Sequence, residues 1–192
     1  EEANHVEKDL WSKGRYLRYR ITDSGISPRA LPGTEGYLFN ATGLEHTEKG
    51  LPDYSPEIHQ NMTEKRHRKL YRALEDLPPP VEFSSGEGLD VGVIAWGSTF
   101  GSALEAVLNA QERGHRVGAL KVTSLFPFHE ATIRGFMKRC KAVLIPELNY
   151  EGQLANLIGR LCGKDIVRLN RVTGVPLSPT QIYRKIEEIL SL

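Results

Sequence analysis

Hydrophobic and polar residues alternate with two different periods along the part of the chain after residue 88. Short apolar runs bounded by turn residues predict buried strands at 90–96, 116–123, 141–146 and 166–170. Apolar residues that recur every three or four positions predict helices at 99–113, 129–139, 151–162 and 179–190. Strand–helix repeats of about 25 residues imply parallel strands joined by right-handed crossovers. We therefore expect an α/β fold with a three-layer, doubly wound and mostly parallel sheet and helices on both faces.

Local signals at the predicted helix ends agree with these boundaries. Ser98 and Thr99 follow the first strand and are residue types that cap helix N-termini. Gly114 and Gly163 stand just past two predicted helix ends, where a left-handed residue is favoured. The Ser-Pro-Thr-Gln segment at 178–181 predicts a capping box with proline at the first helical position.

The first 88 residues have a weaker pattern and predict an irregular arm rather than a core. Residues 15–21 alternate apolar or aromatic with basic side chains and predict a strand, and 37–39 predict a short second one. One of these strands would add antiparallel to the edge of the sheet. A long polar helix is predicted from 55 to about 77, and its thin apolar stripe would cover a surface or a partner.

A proline-rich linker at 78–80 follows that helix, because three consecutive prolines favour an extended spacer. We therefore divide the chain into a connecting arm with its long helix, 1–88, and a compact α/β domain, 89–192. The first residue is Glu1 rather than Met, and we interpret the chain as a piece of a longer protein.

Composition argues against several classes of protein. The 192 residues carry a formal net charge of +1, which favours neither a nucleic-acid nor a membrane partner, and no apolar run is long enough for a membrane helix. Cys140 and Cys162 belong to no C-x-x-C motif, so we expect small buried hydrophobic residues rather than a metal or iron–sulfur site. Such sparse cysteines favour reduced thiols and a cytoplasmic location.

A glycine turn after the first predicted strand of the compact domain is the first candidate for chemistry. Gly97, Ser98 and Thr99 lie where backbone N–H groups at a helix start face the end of the sheet. They either contact an anion there or only cap the helix. The GSTFG segment matches neither the dinucleotide-binding fingerprint nor the P-loop pattern.

Polar residues after the third predicted strand form the second candidate. Glu147, Asn149, Gly152 and Gln153 lie at the carboxyl end of a strand, where ligands and partners meet a doubly wound sheet at its switch point. If the chain recrosses the sheet after the second strand, Ser98 and Asn149 flank one crevice. The alternative is a plain loop in which Asn149 and Gly152 turn the chain.

Two further groups lie in the arm. The basic run Lys65–Lys69 suits either a phosphate-binding patch or a solvated helix face, and the near-neutral chain favours the latter. Glu45, His46 and His59 match no metal-site spacing, so we interpret them as a loop glutamate and two surface histidines. No order of Ser, His and Asp with a nucleophile elbow is present.

Several motifs in this order resemble the alpha subunit of 2-oxoacid:ferredoxin oxidoreductases. Residues 21–46 resemble the passage that joins two domains in that subunit, and 57–70 resemble the helix after it. The compact domain resembles the carboxyl-terminal domain of transketolase through IAWGSTFGSALEAV, SLFPFHEATI and PELNYEGQLANLI. The forms GLEH at 43–46 and WGST at 96–99 are most similar to the 2-oxoglutarate branch.

The resemblance implies a parent enzyme that oxidatively decarboxylates a 2-oxoacid and forms an acyl-coenzyme A. Thiamine diphosphate, magnesium and an iron–sulfur cluster would serve that complex, with coenzyme A as co-substrate and ferredoxin as electron acceptor. Thiamine would lie between an upstream pyrimidine-binding domain of the same subunit and a pyrophosphate-binding domain of the beta subunit. The chain alone would then bind no cofactor, hold no catalytic residue and be inactive.

The resemblance therefore implies a docking and architectural segment whose polar sheet edge faces neighbouring subunits or domains. Two alternatives remain open at this point. One is a free-standing α/β module that binds an anion or nucleotide at the Gly97 turn. The other is a scaffold without a ligand.

Overall fold

The computed structural model describes residues 16–84, 86–162 and 166–192. It contains two compact units, Glu1–Asp76 and Leu77–Leu192. The first unit holds helix α1 (Pro56–Arg72) and a 3-10 turn, Ala73–Glu75. The second holds, in chain order, β1 (Val81–Ser84), β2 (Leu89–Trp96), α2 (Thr99–Glu112), β3 (Val117–Val122), α3 (Glu130–Arg139), β4 (Cys140–Glu147), α4 (Gln153–Cys162), β5 (Ile166–Asn170) and α5 (Pro179–Leu190).

The second unit is built on one five-stranded sheet in the order β1-β3-β2-β4-β5. Strands β3, β2, β4 and β5 run parallel, and β1 pairs antiparallel with β3 at one edge. The chain passes from β2 to β3 on one side and then returns past β2 to β4 on the other. The switch point of the sheet therefore lies between β2 and β4.

Helices cover both faces of this sheet and confirm the predicted three-layer, doubly wound arrangement. Alternate β2 residues point to opposite faces, as the two-residue strand period requires. Val91 and Val93 join a core with α2 and α5, whereas Ile94 joins a second core with α3 and α4. Both cores are formed by residues that are almost fully excluded from solvent.

The predicted element boundaries in this unit agree with the structure to within two residues. The capping box of α5 is present, because Ser178 Oγ accepts from the Gln181 backbone N–H and the Gln181 side chain accepts from the Ser178 N–H. Gly114 follows α2 with φ +84°. The prediction for Gly163 lies outside the described residues.

The predictions for strands in the first unit are wrong within the described residues. Residues 16–21 form turns and irregular backbone, and 37–39 form no strand. Their aromatic rings instead pack together, with Tyr16 edge-on to Tyr37 at 5.0 Å and to Phe39 at 6.0 Å between centroids. The antiparallel edge strand of the sheet is β1, which the sequence pattern did not reveal.

The long helix lies where it was predicted, but it ends earlier than expected and buries part of its surface. It begins after Ser55, whose hydroxyl accepts from the Ile58 N–H, and gives way to the 3-10 turn after Arg72. Among its apolar residues Met62 is buried. In the part of the chain that the structure describes, no helix combines the length and the apolar character needed to cross a membrane.

Candidate functional site

The two candidate groups of the compact domain end neighbouring strands at the same edge of the sheet. Val93 on β2 pairs with Leu144 on β4, so Trp96 and Glu147 each lie three residues further along their parallel strands. Gly97 follows Trp96, and the loop 148–152 follows Glu147. We call this end of β2 and β4, with the residues 96–99 and 147–153, the carboxyl edge.

Glu147 is a buried carboxylate that is bonded entirely within the chain. The residue is only 1% exposed to solvent. Its Oε1 accepts a hydrogen bond from the Leu154 N–H at 2.8 Å, and its Oε2 accepts one from the Ala155 N–H at 3.1 Å. The Asn149 amide also donates to Oε1, at 2.9 Å. These backbone groups belong to the first turn of α4, where N–H groups lack helical partners and the helix dipole is positive. Glu147 therefore caps α4.

Asn149 turns the loop back into the same helix. Its Oδ1 accepts from the N–H groups of Gly152 at 2.7 Å and Gln153 at 3.1 Å. Gly152 has φ +70°, and an added Cβ would lie 3.0 Å from Asn170 Nδ2. Asn149 and Gly152 thus turn the chain, as the loop interpretation proposed. Gln153 is the first residue of α4, and its side chain is exposed.

Strand β5 holds this loop from the other side. The Arg168 guanidinium donates to the Glu151 carbonyl at 3.0 Å and to Asn156 Oδ1 at 2.9 Å. The Asn170 amide donates to the Tyr150 carbonyl at 3.0 Å. Because backbone and side chains of three elements fix it, the loop is a preformed surface.

The glycine turn after β2 does not use the Ser98 hydroxyl as predicted. Gly97 has φ +56°, which favours glycine, and its carbonyl accepts from the Phe100 N–H at 3.3 Å. Ser98 is the N-terminal flanking residue of α2, but its side chain makes no capping hydrogen bond. The prediction of a Ser98 cap is therefore wrong. Ser98 is exposed, whereas Thr99 is buried.

Exposed apolar side chains surround these polar groups, and the sequence analysis did not single them out. Trp96 is 39% exposed at the end of β2, and Leu148 and Tyr150 are 38% and 85% exposed in the loop after β4. The sequence signal that could have identified this surface is the presence of large aromatic side chains at and just after the end of a predicted buried strand. Exposed Trp and Tyr of this kind are typical of surfaces that bind other proteins.

In the first unit, the basic run is not the uniformly solvated helix face that we expected. Lys65 is only 7% exposed, and its Nζ donates to the Tyr19 carbonyl at 2.8 Å. The Arg66 guanidinium donates two hydrogen bonds to the Glu45 carboxylate, from Nη1 to Oε1 at 3.0 Å and from Nη2 to Oε2 at 2.7 Å. This fork lowers the pKa of Glu45 to about 2, with a further contribution from the His59 side chain.

The donor atoms needed for a metal or cluster cofactor are not assembled by the described residues. Within 16–84, 86–162 and 166–192 no group of three or more His, Cys, Asp or Glu side chains could hold a metal ion. An iron–sulfur cluster takes four cysteine ligands, and the whole sequence has two cysteines. Cys140 is buried, with its thiol donating to the Phe136 carbonyl. The described residues therefore provide neither a metal-ion site of this kind nor the ligands of an iron–sulfur cluster.

Comparisons with known proteins identify related sequences and structures. A family model for the pyruvate:ferredoxin oxidoreductase core domain II matches residues 90–182. The chain is 37% identical to the 2-oxoglutarate synthase subunit KorA of Archaeoglobus fulgidus, over 67% of this chain and 35% of that protein. It is 30% identical to the alpha subunit of 2-oxoacid:ferredoxin oxidoreductase 2 of Aeropyrum pernix, over 91% of this chain and 27% of that protein.

Among solved structures, a similar one is the 2-oxoglutarate:ferredoxin oxidoreductase of Magnetococcus marinus, with 2-oxoglutarate, coenzyme A and succinyl-CoA bound. The TM-score is 0.88 at 35% sequence identity, over 93% of this chain and 31% of that chain. The chain thus spans about a third of the length of these relatives.

Proposed function

The chain belongs to the 2-oxoacid:ferredoxin oxidoreductase alpha-subunit family, and on that premise we propose that it is a docking and architectural segment of such an enzyme. The proposed parent oxidatively decarboxylates 2-oxoglutarate, forms an acyl-coenzyme A and passes the electrons to ferredoxin. The observation that carries this proposal is the structural match to the Magnetococcus enzyme over 93% of the chain. The relatives lend no support to a free-standing anion- or nucleotide-binding module.

The family resemblance suggests a division of labour within the parent complex. Thiamine diphosphate, held with magnesium, would stabilise the carbanion left by decarboxylation. We propose that this cofactor lies between the upstream pyrimidine-binding domain and the beta subunit, and that the iron–sulfur cluster lies on another part of the complex. The chain by itself would be inactive.

The carboxyl edge has the composition of a docking surface. Its polar groups Glu147 and Asn149 are committed to internal hydrogen bonds, so they are not available to a substrate. Trp96 and Tyr150 remain exposed on a loop and strand end that are already ordered. A rigid surface with exposed aromatic residues loses little conformational entropy when a partner covers it. We propose that a neighbouring domain or subunit packs on this edge.

The test of the function compares the chain alone with the complex that a tagged copy captures from its own cells. We expect the captured complex to reduce a viologen dye with 2-oxoglutarate and coenzyme A, and the purified chain to be inactive. Pyruvate in place of 2-oxoglutarate serves as the control substrate. Turnover by the chain alone, or a captured complex without 2-oxoglutarate-dependent activity, would contradict the proposal.

The docking surface has its own test in the same capture experiment. Tyr150→Ala removes the most exposed aromatic side chain of the carboxyl edge and should lower the recovery of the partner subunits. Leu108→Ala is the matched control, since Leu108 is 47% exposed on α2, away from this edge. Equal recovery with both variants would exclude the edge as the interface.

A further inference from the structure

A cavity of about 380 Å³ in the first unit is lined by a cluster of cations. It lies between α1, the turn at 18–19 and the loop 25–29, and its basic lining residues are Arg18, Arg29, His46, Lys65, Arg66 and Lys69. No carboxylate lines it among the described residues. We call it the basic cavity. We propose that it binds a small polyanion of the diphosphate class, a role that does not depend on the docking function.

The carboxylates near these cations already accept hydrogen bonds within the chain. Glu45 is bound by the Arg66 fork and by His59, and Glu48 Oε1 accepts from the Ile21 backbone N–H at 2.7 Å. Arg18 lies over aromatic rings, 5.3 Å from the Tyr19 centroid, rather than beside an acid. Arg66 is thus paired with a carboxylate. Arg18, Arg29, Lys65 and Lys69 form no salt bridge within the ranges that the structure describes, and the Glu48 carboxylate acts on Lys65 without direct contact.

Lys65 lies in a position where its own positive charge is disfavoured. Burial is the largest cause that lowers the pKa of Lys65 to about 8, and the positive charges of Arg18 and Lys69 outweigh the opposing effect of the Glu48 carboxylate. Its ammonium group has three N–H donors, and one of them is used by the Tyr19 carbonyl. A bound anion would relieve the repulsion among these cations and accept from the remaining donors.

The walls of the basic cavity are held in place by contacts that need no ligand. Gly25 has φ +75° and lies so close to α1 that an added Cβ would be 2.6 Å from both the Lys65 carbonyl and the Lys69 N–H. The Tyr16 hydroxyl donates to the Pro28 carbonyl and accepts from the Ala30 N–H, which fixes the loop that carries Arg29. A preorganised set of donors binds an anion with little loss of conformational entropy.

The number and type of cations favour a diphosphate over a simpler anion. One guanidinium group binds two phosphate oxygens at once through parallel N–H donors, whereas an ammonium group binds them as a point charge. Four cations that form no salt bridge exceed the charge of a dicarboxylate. One phosphate group carries about two negative charges near neutral pH, so the cluster suits two linked phosphates. The volume, about 380 Å³, is at the small end of ligand pockets.

The experiment is calorimetric titration of the full chain with inorganic pyrophosphate. We expect saturable binding with a Kd below about 1 mM. The double variant Arg29→Gln with Lys69→Gln removes two exposed cations of the cavity and should weaken binding at least about tenfold. A second titration with adenosine diphosphate distinguishes two kinds of ligand. An affinity equal to that of pyrophosphate indicates that the cavity takes the diphosphate group of a larger molecule, and a much weaker affinity indicates a free diphosphate.

Two controls make the result decisive. The double variant Arg72→Gln with Arg184→Gln removes the same charge from positions that do not line the basic cavity, and it should bind pyrophosphate like the wild type. Succinate should bind at least about tenfold more weakly than pyrophosphate. Absence of saturable pyrophosphate binding, equal loss in both double variants, or succinate binding as tight as pyrophosphate would each overturn the proposal.

Discussion

Replacing Glu147 by glutamine tests the assignment of this buried carboxylate as the cap of α4. Glutamine keeps the shape but turns one acceptor oxygen into an amide donor. If Nε2 takes the place of Oε2, the Ala155 N–H loses its acceptor, and in the opposite orientation Leu154 and Asn149 lose theirs. At least one N–H group is therefore left unpaired at a buried site in either orientation.

The size of the effect follows from these contacts. An unpaired buried N–H costs about 1–3 kcal/mol, and loss of the carboxylate from a helix N-terminus costs about 0.3–1 kcal/mol more. Relief of the desolvation of a buried charge offsets part of this loss. We expect Glu147→Gln to lower the free energy of unfolding by about 2 kcal/mol, a substantial part of the stability of a domain of this size.

Urea unfolding followed by far-ultraviolet circular dichroism measures this difference. We expect a lower midpoint with an unchanged slope, because the surface exposed on unfolding stays the same. Glu151→Gln is the matched control, since its carbonyl and not its exposed carboxylate contributes to the loop bonds. A loss below about 0.5 kcal/mol for Glu147→Gln, the range of an ordinary surface substitution, would refute the capping assignment.

Three further predictions concern the stability of both units. Gly92→Ala should destabilise the α/β unit by about 1–3 kcal/mol in urea, because an added Cβ would overlap Cys140 Sγ and lie 2.8 Å from Phe136 Cε1. Ser178→Ala should cost about 1 kcal/mol through loss of its capping box, measured the same way. The pKa of Glu45 falls from 4.5 to about 2 beside Arg66, so its stabilisation is present above pH 4.5 and lost toward pH 2. Glu45→Gln should flatten that acid dependence of the urea midpoint.

Much of the α/β unit was predictable because its signals are local. Four parallel strands and four helices each have a complete period of apolar residues between turn residues, and neighbouring glycines and caps mark their ends. The family resemblance carried by the motifs is likewise confirmed by the relatives. Strand β1 was not predicted, because its four residues are too few for a hydrophobic period to be recognised.

The misinterpreted residues share a different cause. Ser98 is a suitable capping residue, but the chain enters α2 with its backbone already helical, at φ −67° and ψ −25°, so its hydroxyl does not reach the free N–H groups. Residues 15–21 have the alternation of a strand. The described part, 16–21, finds no neighbouring strand and is held by aromatic packing instead.

The order and type of the elements in the α/β unit were determined by the sequence alone, since helix and strand periods depend on residues a few positions apart. Only the tertiary structure decided that Glu147 closes the start of α4, and that Lys65 lies buried beside a carbonyl 46 positions away. Which donor meets which acceptor depends on how distant segments pack, and the pattern along a chain does not record that distance.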